Sequence, residues 1–452
     1  MPEVITIETP GLGDRSYLAH DGEVGVVVDP QRDIERMMSA ASDAGIRITH
    51  VLETHIHNDY VTGGYELARA ASAAYGIADG DRVGFGRLPV RDGAAISTGG
   101  LVLSPMHTPG HTPGHMSYAL ADRGTGPSAV FTGGSLLFGA VGRTDLIGPD
   151  QTEPLTRAQF RSARLLAERL PDSTLIYPTH GFGSFCSATP TSGSTSTIGH
   201  QRDVNVALAS DEETFVTQLI AGLGPYPRYY AHMDPINRSG PGAPGLEPPS
   251  RADAREIRRR IDAAEWVIDL RERRAFAALH VAGAVSVELG DQFATYLGWI
   301  VPWGSPLTLL GERPEEIAGA QLQLSRIGID HVAAAGIGSA STLAASTTAS
   351  YEVAGFPALA AARREQDLVV LDVRTPQEWR ASHMDGSVHI PFWELADRVG
   401  EVPEGTVWVH CASGFRASIA ASVLQRAGRQ VVHVDDDWSC AAAAGLPVVS
   451  GA

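Results

Sequence analysis

Short apolar runs alternate with helical patterns along the first 240 residues. Apolar positions recur with helical spacing over residues 34–43 and 157–169, as on one face of a helix. Between these stretches lie runs rich in β-branched residues, and several end in a polar residue followed by glycine, proline or histidine; they cover residues 25–29, 49–52, 101–104, 129–132 and 174–177. Strands interleaved with helices predict an α/β domain whose polar site lies on loops at the strand ends.

Two stretches without hydrophobic periodicity divide the chain. Residues 238–250 are rich in proline and glycine, and residues 338–350 are small and polar. Both compositions are typical of linkers. We therefore expect three domains, at residues 1–240, 250–338 and 351–452, which agrees with a prior of about 150 residues per domain.

The second and third segments repeat one sequence pattern. The run Val267–Arg271 (VIDLR) corresponds to Val370–Arg374 (VLDVR). In both segments a histidine follows the aspartate by 11 positions, and a glycine follows that histidine by three. This agreement predicts a tandem duplication of a small α/β domain.

Composition and charge exclude several classes of protein. The hydrophobic fraction of 43% is that of a globular chain, and the net charge of −17 argues against binding to nucleic acid or to an anionic membrane. The N-terminus has no basic stretch followed by an apolar one, and no apolar run approaches the ~18 residues of a membrane-spanning helix. We expect a cytoplasmic protein, and a homo-oligomer is compatible with the sequence.

One of the three cysteines lies in a sequence suited to nucleophilic chemistry. Cys411 follows a predicted strand at 406–410 and precedes a helical run at 417–427, so backbone N–H groups and the helix dipole would favour its thiolate. Arg416 adds a fixed positive charge for an anionic substrate. We predict that Cys411 and Arg416 are catalytic, and that the loop between them binds the substrate through Ala412, Ser413, Gly414 and Phe415. Cys440 has no such loop.

The third segment resembles the rhodanese family of sulfurtransferases. The resemblance rests on VLDVRTPQEW, on SHMDG and on the loop HCASGFRAS, in which the arginine follows the cysteine by five positions rather than the six of cysteine-dependent phosphatases. It implies that Cys411 carries sulfur as a persulfide and exchanges it with thiosulfate, sulfite or small-molecule persulfides. The second segment has no cysteine, so it cannot form a persulfide; we expect a rhodanese-like structural or docking module.

Histidines follow several apolar runs of the first segment. His55 and His57 lie in THIHNDY (Thr54–Tyr60), His111 lies in TPGHT, and His180 lies in PTHG. His-x-His-x-Asp at a strand end places several ligands on one short loop, which suits a divalent metal. Histidines at the ends of several successive strands predict a metal site.

The order of these motifs resembles the metallo-β-lactamase superfamily, and within it the persulfide dioxygenases fused to rhodanese domains. Gly142–Asp145 (GRTD) resembles an element of that group. The resemblance implies an αββα sandwich in the first segment. Two-metal hydrolases of the superfamily continue the motif to His-x-His-x-Asp-His, whereas this chain has Tyr60. One metal is therefore expected rather than two, which favours a dioxygenase over a glyoxalase-II-like hydrolase.

The resemblance implies one divalent metal, Fe(II) with Zn as the alternative, held by His55, His111 and a carboxylate. Gly134 stands where the carboxylate is expected and has no side chain to ligate. Three outcomes are open. His57 could join His55 and His111 in a three-histidine site, water or substrate could take the third position, or the metal could be lost.

Together the resemblances imply a sulfur-metabolism enzyme. The first segment would oxidise a persulfide with O₂ to sulfite, and the rhodanese would transfer sulfane sulfur through Cys411. Three alternatives remain: a sulfurtransferase whose first domain is inactive because of Gly134, a glyoxalase-II-like hydrolase, and a non-catalytic persulfide-responsive binding module. The sequence leaves open whether Asp59 compensates for the missing carboxylate, whether His180 ligates or donates a hydrogen bond, and whether residues 181–186 line a pocket or form a turn.

Overall fold

The chain folds into two compact units in the computed structural model, which describes residues 2–188, 193–344, 347–365 and 368–451. The first unit contains Met1–Pro244 and Ser325–Gly328, and the second contains Gly245–Leu324 and Ile329–Ala452. None of the helices in these described ranges has both the length and the apolar character needed to cross a membrane.

The first unit consists of strands in two sheets with helices on their outer faces. The strands are β1 (Glu3–Thr9), β2 (Asp14–His20), β3 (Val24–Val28), β4 (Arg47–Leu52), β5 (Ala74–Ala78), β6 (Leu88–Val90), β7 (Ile96–Thr98), β8 (Leu101–His107), β9 (Met116–Asp122), β10 (Ala129–Gly133) and β11 (Leu175–Pro178). The helices are α1 (Glu35–Asp43), α2 (Gly64–Ala70), α3 (Pro149–Arg169), α4 (Ile198–Val204), α5 (Val206–Ala209), α6 (Glu212–Gly222) and α7 (Tyr230–Ser239).

The two sheets pack face to face. One has the strand order β1-β2-β3-β4-β5-β6 and the other β11-β10-β9-β8-β7. Apolar side chains from both sheets fill the space between them, among them Val28, Leu52, Leu103 and Phe131. Helices α1 and α2 cover the first sheet, and α3 covers the second. This arrangement confirms the α/β fold class and the αββα sandwich.

The apolar runs of the first segment coincide with β3, β4, β8, β10 and β11. Helix α1 also lies where the helical spacing predicts it. Helix α3 begins at Pro149, eight residues before the predicted start, because its first turn is polar and carries no apolar stripe. A proline is favourable there, since its fixed φ suits the first helical position.

The second unit contains shorter strands and helices. The strands are β12 (Trp266–Asp269), β13 (His280–Val281), β14 (Val285–Ser286), β15 (Leu307–Gly311), β16 (Ala334–Ile337), β17 (Thr348–Ala349), β18 (Glu352–Ala354), β19 (Val369–Asp372), β20 (His383–Met384), β21 (Val388–His389), β22 (Val407–His410), β23 (Val431–Val434) and β24 (Val448–Val449). The helices are α8 (Ala254–Asp262), α9 (Arg273–Ala278), α10 (Phe293–Ile300), α11 (Pro314–Arg326), α12 (Ala340–Ala344), α13 (Phe356–Glu365), α14 (Pro376–Ala381), α15 (Leu395–Arg398), α16 (Phe415–Arg426) and α17 (Cys440–Ala443), with a 3₁₀ turn at Val399–Glu401.

Two parallel sheets of the second unit share one strand order. The first is β14-β12-β15-β16, and the second is β21-β19-β22-β23 with β18 added at its edge. In each, the arginine of the repeated motif binds the aspartate two residues before it: Nη2 of Arg271 lies 2.7 Å from Oδ2 of Asp269, and Nη2 of Arg374 lies 2.5 Å from Oδ2 of Asp372. The shared order and contacts support the predicted duplication, while the rhodanese identity of the first sheet stays a prediction.

Residues 338–350, which were expected to form a linker, contain ordered structure. Helix α12 buries Leu343 and Ala344 in the core around β12, and β17 pairs with β13. The small residues that suggested a flexible linker instead allow close packing, and Leu343 supplies the apolar anchor. Residues 345 and 346 lie outside the described ranges.

Candidate functional sites

Loops at the strand ends bring buried histidines together in the first unit. His55 and His57 follow β4, His111 lies between β8 and β9, and His180 follows β11. All four are at most 1% exposed. The ring centroid of His55 lies 4.1 Å from that of His57, 4.7 Å from that of His111 and 5.3 Å from that of His180. Tertiary folding therefore gathers the histidines that the sequence singles out.

Three oxygen atoms lie close to Nε2 of His57. Its Nε2 lies 3.0 Å from the hydroxyl oxygen of Tyr60, and 3.3 Å from both Oδ1 of Asp29 and Oε2 of Glu53. Burial alone would lower the pKa of His57, but Asp29 and Glu53 outweigh it and raise that pKa to about 9. Its Nδ1 is buried and has no hydrogen-bond partner among the described residues. Since acceptors hold Nε2–H, Nδ1 is the nitrogen that would bind a metal ion, with loss of its proton.

Two carboxylates lie within hydrogen-bonding distance of Nδ1 of His180. This nitrogen lies 2.9 Å from Oδ1 of Asp14 and 3.1 Å from Oδ2 of Asp59. Burial alone would lower the pKa of His180, but Asp59 and Asp14 raise it well above its ordinary value. The Nε2 atoms of His180 and His55 lie 3.3 Å apart. Two nitrogens bound to one ion at about 2.0–2.1 Å are about 3.3 Å apart at a tetrahedral angle, so this pair fits a shared metal ion.

The ring of His111 fills the space beside Gly134. A Cβ atom at position 134 would lie 2.3 Å from Cδ2 of His111, so any side chain there requires the ring to move. Nδ1 of His111 donates to the carbonyl oxygen of Arg143 at 2.7 Å, and its Nε2 is buried without a hydrogen-bond partner among the described residues. Burial, followed by the effect of His180, lowers the pKa of His111 to about 3. Nε2 therefore carries a lone pair at neutral pH.

The potential ligand atoms form overlapping groups. Those of His55, His57 and His180 lie within 4.8 Å of one another, and so do those of His111, His180 and Cys186. Buried imidazole nitrogens grouped in this way fit a divalent transition-metal ion, and two of them, Nδ1 of His57 and Nε2 of His111, have no hydrogen-bond partner among the described residues. His180 belongs to both groups, whereas the set of His55, His57 and His111 stays a prediction.

Asp29 connects the loops that carry these histidines. Its Oδ1 accepts from the backbone N–H of Thr54 and its Oδ2 from the Thr54 hydroxyl, each at 2.7 Å, and the hydroxyl of Thr179 also donates to Oδ2. The backbone of Asp29 has a φ of +52°, a conformation that non-glycine residues adopt rarely and that functional sites often retain. Burial alone would raise the pKa of Asp29, but His57 outweighs it and lowers that pKa to about 2.

The sequence patterns did not identify several of the buried side chains near this cluster. They are Asp14, Asp29, Glu53 and His115, together with Cys186 as a potential ligand. His115 accepts a hydrogen bond at Nε2 from the N–H of Gly134 at 3.0 Å. The repeat of Thr-Pro-Gly-His in TPGHTPGH was a signal for His115. Asp14 and Glu53 belong to no motif, so only the fold reveals their positions.

A cavity of about 770 Å³ lies beside these loops. Its lining includes Ile56, Asn58 and Thr112, which are neighbours in sequence of the histidines, and Tyr226 and Tyr230 from the region of α7. This volume is within the range of small-molecule sites. The first unit thus has both a metal-type donor set and space for a substrate.

The second unit places Cys411 between β22 and α16. The N–H of Gly414 points to Sγ of Cys411, with a nitrogen–sulfur distance of 3.2 Å. Gly414 has a φ of +89°, which glycine adopts without strain, and its carbonyl oxygen accepts from Nε2 of His433 at 2.9 Å. Cys411 is 1% exposed, whereas Ser413 at the loop tip is exposed. The loop therefore curls around the sulfur at the start of a helix.

Arg416 forms a two-pronged ion pair with Glu378. Nη1 lies 2.6 Å from Oε2, and Nη2 lies 2.7 Å from Oε1. Burial alone would raise the pKa of Glu378, but Arg416 outweighs it and lowers that pKa to about 2, so the pair is ionised at neutral pH. The sequence predicts that Arg416 offers a positive charge to an anionic substrate. The structure adds the carboxylate of Glu378, which offsets the charge of Arg416.

Comparisons with known proteins agree with these two sites. The sequence model of the metallo-beta-lactamase superfamily matches residues 11–180, and that of the rhodanese-like domain matches residues 357–442. The chain is 28% identical over 219 residues to the mitochondrial persulfide dioxygenase ETHE1 of Homo sapiens, an alignment that covers 45% of this chain and 72% of the relative. It is 33% identical over 199 residues to hydroxyacylglutathione hydrolase of Cereibacter sphaeroides, covering 40% of this chain and 67% of that protein.

A solved structure extends the comparison beyond the first unit. The crystal structure of a metallo-beta-lactamase from Staphylococcus aureus aligns with a TM-score of 0.67 and 27% identity, covering 75% of this chain and 99% of that one. The chain therefore belongs to the metallo-beta-lactamase superfamily, and it joins a domain homologous to persulfide dioxygenases to a rhodanese-like domain.

Proposed function

We propose that this chain is a sulfur-metabolism enzyme that combines a rhodanese sulfurtransferase with a mononuclear-metal, persulfide dioxygenase-like domain. The observation that carries the proposal is the Cys411 loop, in which Sγ receives an N–H at the start of α16. Such a position directs a backbone donor and the N-terminus of a helix at the sulfur that would act as the nucleophile. The match to the rhodanese-like domain and the similarity to a persulfide dioxygenase support the same assignment.

The sulfur-transfer step uses groups of the loop. Sγ of Cys411 attacks the outer sulfur of thiosulfate, the sulfur–sulfur bond of thiosulfate breaks, and its electron pair leaves with sulfite. Cys411 is left as a persulfide, and a second nucleophile takes the outer sulfur and restores the thiolate. The loop from Ala412 through Ser413 and Gly414 to Phe415 would surround the transferred sulfur with backbone N–H groups, and Arg416 would favour the anionic substrate.

The test of this step is replacement of the nucleophile. In Cys411→Ser, thiosulfate:cyanide sulfurtransferase activity should fall by about a thousandfold or more, because a serine hydroxyl cannot carry the persulfide. Cys440→Ser is the matched control, since Cys440 is exposed and distant in sequence from the loop; its activity should equal that of the wild type. Activity retained in Cys411→Ser would contradict the assignment.

The first unit supports a metal-dependent reaction of a persulfide. His55, His57 and His180, or His111 and His180 with Cys186, could hold the ion, and the adjacent cavity could hold a small persulfide. A bound Fe(II) ion would supply the oxygen chemistry that converts a persulfide and O₂ to sulfite. Asp14, Asp59 and Asp29 orient the ligand rings by holding their other nitrogens or their loops.

Metal content tests this second activity. The wild-type protein should bind one equivalent of Fe(II) and consume O₂ with a persulfide substrate. His180→Ala should weaken metal binding more than tenfold, since loss of an outer-shell partner alone costs about 10–100-fold. His107→Ala, which removes an exposed imidazole, should have no effect. Absence of metal binding in the wild type would leave sulfurtransfer as the only activity.

A hydrolase is the competing assignment for the first unit. The similarity to hydroxyacylglutathione hydrolase favours it, but Tyr60 replaces the last histidine of the two-metal motif, and its hydroxyl contacts His57 instead. Two equivalents of metal together with thioester hydrolysis would establish the hydrolase and contradict the dioxygenase assignment.

A further inference from the structure

Tyr296 belongs to the cysteine-free part of the second unit, yet it packs on the Cys411 loop. It lies in α10 and is half-buried. Its ring centroid is 5.1 Å from that of Phe415, at an interplanar angle of 64°, and 5.4 Å from that of Phe392. Phe415 is a residue of the loop itself, so Tyr296 lies at the side of the sulfur-transfer site.

The hydroxyl of Tyr296 is free to bind a ligand. Within the described residues it has no hydrogen-bond partner. Burial raises the pKa of Tyr296, and the charges that act on it belong to Arg416, Cys411 and Glu378. The phenol is therefore a neutral O–H donor at physiological pH, close enough to the site for these charges to affect it.

Hydrogen bonds join the cysteine-free part of the second unit to the helix that follows Cys411. Nε2 of His280 lies 2.6 Å from Oε1 of Gln425, and the N–H of Ser286 donates to the hydroxyl of Ser422 at 3.0 Å. Both partners, Gln425 and Ser422, lie on α16, the helix that follows Cys411. These bonds hold the cysteine-free sheet against α16, while Tyr296 itself packs on Phe392 and Phe415 through its ring.

A further donor beside the loop would strengthen the binding of an anionic substrate. Glu378 occupies both terminal nitrogens of Arg416, so this ion pair has no net charge. Thiosulfate and sulfite carry negative oxygens, and a hydrogen bond from a neutral donor to a charged acceptor is among the stronger ones.

We propose that Tyr296 is a substrate-binding residue of the Cys411 site, whose hydroxyl donates a hydrogen bond to a sulfonate oxygen of thiosulfate and to the departing sulfite. This inference rests on the proposed sulfurtransferase function. It gives the cysteine-free part of the second unit a role in the reaction, because α10 contributes a hydroxyl donor beside the loop.

Removal of the hydroxyl alone tests this role. Tyr296→Phe keeps the ring that packs on Phe415, and it should raise KM for thiosulfate about tenfold, as expected for a lost hydrogen bond to a charged group, with kcat changed less than about twofold. Tyr351→Phe is the matched control, because the hydroxyl of Tyr351 also has no partner among the described residues, but its ring packs on Phe276 and His280 rather than on Phe415. An unchanged KM in Tyr296→Phe, or an equal rise in Tyr351→Phe, would overturn the proposal.

Alkylation of Cys411 separates this proposal from the proposed function. Iodoacetate carries a carboxylate and iodoacetamide does not, so Tyr296→Phe should lower the ratio of their alkylation rates several-fold. If that ratio falls while the wild type has no sulfurtransferase activity, the proposed function fails and the role of Tyr296 stands. If the wild type is active and Tyr296→Phe changes neither KM nor the ratio, the role of Tyr296 fails and the function stands.

Discussion

The two candidate sites are constructed in opposite ways. The Cys411 loop places its nucleophile, its amide donor and its arginine within six consecutive residues, and the contact between Sγ and the N–H of Gly414 spans three positions. The histidine cluster joins loops from separate strands, and the contact between His55 and His180 spans 125 positions. A local site depends on the conformation of one turn, whereas a distributed site depends on the packing of two sheets.

Loss of a central carboxylate should have the largest effect on the distributed site. Asp29→Ala removes the acceptor of both Thr54 groups and of Thr179, and it removes one of the two carboxylates beside Nε2 of His57. Breaking a buried network of this kind should lower the free energy of unfolding by about 3–5 kcal/mol. Denaturant unfolding of the variant and the wild type, in the presence of a chelator, measures this difference in the free energy of unfolding.

The loop offers the matched comparison for Asp29. Ser413→Ala changes an exposed residue of the local site. This substitution should change the free energy of unfolding by no more than about 0.5 kcal/mol. Equal effects of the two variants would show that the two sites do not differ in their dependence on packing.

A methyl group at position 134 should have the next largest effect. In Gly134→Ala the new Cβ lies 2.3 Å from the His111 ring, and overpacking should cost about 1–3 kcal/mol of unfolding free energy and weaken metal binding. Gly86→Ala is the control, since a Cβ there meets nothing within 4 Å. Asp at position 134 would meet the same ring, so we expect that restoring the carboxylate alone does not rebuild the family's ligand set. A fully stable Gly134→Ala with unchanged metal affinity would contradict this.

The smallest expected effect concerns pH and Glu378, which pairs with Arg416 of the loop. The pKa of Glu378 in the folded protein is about 2, below its ordinary value of 4.5, so its stabilising effect is complete above pH 4.5 and is lost as the pH falls toward 2. The wild type should lose about 1 kcal/mol from this group between pH 7 and pH 4. Glu378→Gln should lack that part of the pH dependence. Glu404→Gln, at an almost fully exposed side chain, should retain it.

Sequence patterns predicted the features that depend on neighbouring residues. The main strands and the position of Cys411 between a strand and a helix are confirmed, because each follows from hydrophobic periodicity or from a short motif. The αββα sandwich, which the family resemblance implied, is confirmed as well. The prediction of a linker at 338–350 was wrong, because small residues allow close packing as well as flexibility. Glu378 is in the recognised motif, but its pairing with Arg416 spans 38 positions and no local rule predicts it.

The sequence by itself determined which residues could carry chemistry: a single cysteine with a helix behind it, histidines at strand ends, and a glycine where a ligand is expected. Only the tertiary structure decided which of them meet. It brought His180 to His55, placed the ring of His111 in the space beside Gly134, and set Tyr296 against the Cys411 loop. The reason is physical, because local conformation follows from a few adjacent side chains, while the contacts of a site depend on the register of strands and the packing of sheets across the whole domain.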